Sequence, residues 1–107
     1  MPLTTVYALT NPSFSAVKIG YSQNVNQRLG VMNTSVPERF RVYYSRVMPT
    51  TELARCLEKK LHEHFHRYRA PNGEFFNVDP DMIALEMFHM SRELGCPPVK
   101  NSTNNKQ

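Results

Sequence analysis

Cysteine is scarce in this chain. There are two, Cys56 and Cys96, forty residues apart. Two thiols cannot build a multi-bridge disulfide framework, and this spacing matches no zinc-ligand pattern, so both read as packing or surface thiols. Long apolar runs are also missing. No stretch approaches the roughly 20 residues needed to cross a bilayer, and no basic-then-apolar leader opens the N-terminus. The expectation is a cytoplasmic protein with no membrane partner. Acidic residues are outnumbered, nine against thirteen Lys and Arg, for a formal net charge of +4. Counterion release rewards a basic surface that meets phosphates, so the balance suits a nucleic-acid partner, although many basic domains bind none.

The 107 residues, 40% of them hydrophobic, make one domain with a modest core. From Gly95 the composition turns to Pro, Asn, Lys and Gln, so residues 95–107 are expected to be a disordered tail behind a single domain over 1–94.

Thr4 to Leu9 and Ala16 to Tyr21 are β-branched and aromatic, and Thr10 to Ser15, with its Asn-Pro pair, separates them. This predicts a hairpin with a loop of about six residues. Ser22 or Asn24 offers an N-cap to a helix in which Val25, Leu29 and Met32 keep one apolar stripe to about Thr34. Phe40 to Met48 alternates in part and predicts a third strand. Thr50 or Thr51 starts the longest helix, where Leu53, Leu57, Leu61 and Phe65 recur every fourth residue and must face the sheet. After a turn at 70–73, Glu74 to Val78 reads as a short strand or extended segment. Asp79 then caps a last amphipathic helix from Pro80 to about Leu94, with Ile83, Met87 and Met90 inward. The predicted fold is α+β, a three-stranded antiparallel sheet flanked by helices.

Several side chains on this frame can carry chemistry. Tyr7 is a strand phenol that could activate water if a nearby cation lowered its pKa, and read alone it is a half-buried strand tyrosine. Lys18 and Tyr21 flank Gly20 on the second strand. Arg28, one turn into the first helix, can clamp a phosphate or stand as an exposed helix arginine. Glu58 offers a hard oxygen on a rigid helix, and with His62 four residues on it could equally form a surface pair. His62, His64 and His66 alternate, and since two helical residues subtend about 200° they cannot converge on one zinc ion. Arg39 and Arg41 in one basic cluster, and Lys59 in another, are candidates to meet DNA.

In order and spacing, V-Y-A, K-I-G-Y, Arg28, L-E-K-K-L-H-E-H-F and E-F-F-N resemble the GIY-YIG nuclease superfamily over residues 4–90. They are most similar to its small phage-type branch, named for a phage T5 open reading frame and a meiotically up-regulated gene. Lys18 stands where the superfamily has a tyrosine, and in that branch K-I-G-Y is the ordinary spelling, with Tyr21 in the tyrosine's stead. The resemblance implies an endonuclease that hydrolyses DNA with one Mg²⁺ or Mn²⁺ ion. It makes Glu58 the metal ligand and Tyr7, Lys18, Tyr21, Arg28 and His62 the catalytic set. Asn77 would orient the glutamate, and Glu74 precedes the aromatic pair in that branch too. Such a module usually accompanies a separate DNA-reading domain, so specificity here falls to the domain itself, to a homodimer or to a partner. Two other readings stay open: an inactive nucleic-acid-binding module on the same fold, which Lys18 favours, and a small protein that binds a host protein.

Overall fold

In the computed structural model, which describes residues 2–71 and 73–95, the hairpin is tighter than its sequence suggests. Strand β1 runs Thr4–Asn11 and β2 runs Phe14–Ser22. Only Pro12 and Ser13 lie between them, because Asn11 stays in the ladder opposite Phe14. The Asn11 side chain closes the turn: its Oδ1 accepts from the Ser13 N–H at 2.8 Å while its Nδ2 donates to the Glu38 carbonyl at 2.8 Å. An asparagine that bonds the backbone two residues on imitates a turn of main chain, so the expected six-residue loop shrinks to two.

Helix α1, Val25–Met32, starts at the Asn24 cap, whose side chain accepts from the Gln27 N–H. Strand β3 is Arg41–Met48. Helix α2, Thr51–His64, begins at Thr50, whose hydroxyl accepts from the Leu53 N–H at 3.1 Å, with Glu52 in its first turn. Helix α3, Pro80–Gly95, follows Asp79, whose carboxylate accepts from the Asp81 N–H. The sheet has four strands rather than three, in the order β3-β1-β2-β4 and antiparallel throughout. The added strand β4 is only Phe75–Phe76, too short to carry a period of its own. Gly73, at φ +81°, makes the reversal that delivers it.

Strand pleating divides the core in two. On one face Val6, Ala8, Val17, Ile19 and Phe76 meet Leu57, Leu61 and Phe65 of α2 and Ile83 and Met87 of α3. On the other, Tyr7, Leu9 and Phe40 meet Val25, Leu29 and Met32 of α1. The four-residue stripe of α2 faces the sheet as expected, and Met90 packs on the same core. Cys96 and residues 96–107 of the expected tail lie outside the described residues.

Candidate active site

The site forms where the sheet is left unfinished. Along β2, strand β4 pairs only with Val17 and Lys18, and its last rung is the Ile19 N–H to the Glu74 carbonyl at 3.0 Å. Beyond that rung the outer edge of β2 is paired with no strand among the described residues. A polar cavity of about 260 Å³ opens there, lined by Tyr7, Tyr21, Arg28, Glu58 and Glu74. Tyr7 belongs to the α1 face of the sheet and Tyr21 to the α2 face, so the cavity wraps around the strand edge and collects side chains from both.

Gly20 is what lets Tyr7 reach it. The two residues are partners across β1 and β2. A Cβ on Gly20 would sit 2.8 Å from the Tyr7 Oη and 3.0 Å from Cε1 and Cζ. The phenol therefore lies over bare backbone, crossing β2 to its open edge, with the ring buried at 1% exposure. Burial pushes the phenol pKa up; the charge of Arg28 beside it pulls the other way and does not prevail, and Glu74 and Glu58 raise it further. The cation expected to lower this pKa is present, but desolvation outweighs it.

Glu58 is also shifted upward. Burial is the main cause, opposed by His62, reinforced by Glu74 and opposed again by Lys18 and Arg69. The carboxylate is thus incompletely neutralised in a pocket it shares with a second carboxylate. Lys18 is held by that second group, its Nζ 2.7 Å from Glu74 Oε1. His62 is committed elsewhere. Its Nε2 lies 3.0 Å from the Ile19 carbonyl, which can only accept, so that nitrogen carries the proton. The same atom is 3.9 Å from Glu58 Oε2, and the ring packs on Phe76 with centroids 4.9 Å apart. His62 ties α2 to the β2 edge.

The fold therefore brings Tyr7, Tyr21, Arg28 and Glu58 to one cavity, with Lys18 and His62 bonded to its walls. Asn77 is not among them. It is exposed past β4, and its N–H donates to the Tyr68 carbonyl. Arg39 and Arg41 are exposed at the start of β3, with β1 between that strand and β2. Lys59 is exposed on α2 beside Glu58. Glu74 is the lining residue to which the sequence assigns no role; the signal for it was Lys18, a lysine on an inner strand that needs a carboxylate partner.

A family model, the T5orf172 domain, matches residues 4–89. The chain belongs to the T5orf172 domain family. No curated protein and no solved structure matches it. Every residue lining the cavity falls inside the matched span, as does the whole sheet. No helix among the described residues is long and apolar enough to cross a membrane.

Proposed function

We propose that this T5orf172 domain is a metal-dependent endonuclease that hydrolyses phosphodiester bonds in DNA, as its GIY-YIG resemblance implies. The observation that carries the reading is the convergence of Glu58, Tyr7, Tyr21 and Arg28 on one cavity at an open strand edge. The residues fit a hard divalent cation: Glu58 is a partly desolvated carboxylate with Glu74 beside it, and positive charge would relieve both. Among the described residues no three His, Cys, Asp or Glu converge. That donor set suits Mg²⁺ or Mn²⁺, which keep several waters, better than zinc.

When bound, the ion supplies Lewis-acid stabilisation of charge on the phosphate. Arg28, exposed on the helix and lining the cavity, is the group to hold the non-bridging phosphate oxygens. Tyr7 is protonated at neutral pH, so its Oη orients the attacking water by hydrogen bonding. Tyr21 closes the far wall. Glu74 keeps Lys18 neutralised until a phosphate competes for it.

One observation favours a binding-only module instead: the Lys18–Glu74 pair occupies the lysine that replaces the superfamily tyrosine. The test is cleavage of single- and double-stranded DNA by wild type and Glu58→Ala, with and without Mg²⁺ or Mn²⁺. Metal-dependent products from wild type and none from the variant are expected, a loss of at least about 10²-fold for a group acting on transition-state charge. Retained cutting by Glu58→Ala overturns the assignment. DNA binding without cutting under any condition leaves the binding module.

A further inference from the structure

Beside the polar cavity lies a second, apolar one of about 400 Å³, lined by Ser13, Phe14, Ser15, Ala16, Ala70 and Phe75. Two of its lining residues, Phe14 and Phe75, belong to a cluster of three phenylalanines completed by Phe40. Phe14 and Phe40 have centroids 5.6 Å apart, Phe14 and Phe75 6.2 Å, and Phe40 and Phe75 6.1 Å. Phe40 is the core member at 6% exposure, whereas Phe14, just past the hairpin turn, is 46% exposed. A ring recruited only to seal the α1 core would be covered as Phe40 is. Phe14 instead leaves much of itself to solvent at the mouth of a cavity.

Consecutive residues of the chain line the two cavities. Glu74 lines the polar one and the next residue, Phe75, lines the apolar one. Lys18 joins them, its Nζ 2.7 Å from Glu74 and 5.3 Å from the Phe75 ring centroid. A phosphate site, a cation and an aromatic surface therefore follow one another along the β2 edge, the order in which a nucleotide presents phosphate and base.

We propose that the cavity between Phe14 and Phe75 takes an unpaired nucleobase of the DNA strand whose phosphate lies in the Glu58 cavity. Only the phosphate's position rests on the nuclease reading. Aromatic faces bind bases by stacking with little regard to sequence, and Ser13 and Ser15 add hydroxyls at the rim. A base inside a duplex is already stacked and cannot enter. The domain is thus selective for single-stranded or frayed DNA, and Phe14 is the residue that makes it so.

The chain contains no tryptophan, so Phe14→Trp places a single reporting indole at the proposed stack. Binding is measured in chelator, without cleavage, for wild type, Phe14→Ala and Phe14→Trp. The probes are an oligodeoxynucleotide, its duplex and the matching RNA strand. Phe14→Ala is expected to weaken single-strand binding by about tenfold, the loss of one base–aromatic stack, and to leave duplex binding unchanged. Phe14→Trp should retain single-strand affinity, with emission quenched by the single strand and not by the duplex. Equal affinities of wild type and Phe14→Ala for the single strand, equal losses on both DNA forms, or quenching by duplex would overturn the proposal. Tighter binding to RNA would overturn the assignment to DNA. Phe14-dependent binding by a protein that cuts nothing would defeat the nuclease reading and leave this one standing.

Discussion

Glu58 sits in the fold with its ionised form disfavoured, chiefly by burial, with Glu74 adding like charge. Because the folded pKa lies above that of the unfolded chain, the stability linked to this group is fully present below the unfolded value. It is lost as pH rises through the folded one. A side chain that never ionises escapes the loss. Glu58→Gln is therefore expected to melt above the wild type near pH 7, the gap closing as pH falls toward about 4, where the wild-type carboxyl is neutral too. Thermal scans across that range check it, and a variant that melts below wild type near neutrality contradicts it. The same residue would then trade stability for chemistry, since the substitution that firms the fold removes the carboxylate that the proposed reaction needs. Tyr7 is held in a comparable way, protonated under a buried roof despite Arg28 beside it.

Among the elements, the contact between β1 and β2 matters most for the site, because the Tyr7 ring can reach the open edge only over a residue without a Cβ. Gly20→Ala is expected to displace the phenol, destabilise the protein by about 1–3 kcal/mol as overpacking does, and abolish the cleavage proposed above. Urea denaturation and the cleavage assay read the two effects, and wild-type values in both would refute the geometry. This contact was not legible in the sequence, which gives K-I-G-Y but not the register that sets Gly20 opposite Tyr7. Helix α2 was legible, since Leu53, Leu57, Leu61 and Phe65 state a helical period at four-residue spacing and Thr50 marks the start. Strand β4 is not legible as part of the sheet: two residues carry no period, and pairing with Val17 and Lys18 makes them a strand. The hairpin loop is shorter than its composition suggests because Asn11, a turn residue by type, stays in the ladder and works from there. Of the site, the motif residues Tyr7, Tyr21, Arg28 and Glu58 do share a cavity, and Asn77 lies apart because the backbone past β4 turns its bonding toward Tyr68.

For the whole molecule, charge is spread over two sides. Arg41 begins the far edge strand and Arg39 precedes it, whereas Arg28 lines the cavity at the opposite edge and Lys59 stands on α2. If duplex DNA wraps the sheet from one edge to the other, these groups act as separate phosphate contacts. Replacing both Arg39 and Arg41 by Ala should then flatten the dependence of log affinity on log salt by about 1.8, near 0.9 for each lost contact. An unchanged slope would confine the DNA to the cavity side. The strand order has a further consequence for how the protein comes into being. Strands β1 and β2 are sequence neighbours and can zip together early, whereas β2 and β4 are joined across most of the chain, the kind of closure that forms late. Glu58 and Glu74 are also synthesised long after Tyr7 and Arg28. A nascent or half-folded chain thus carries the cavity-lining groups apart from one another, and under the proposed function a cell making this protein would meet no cutting until folding had closed the last ladder.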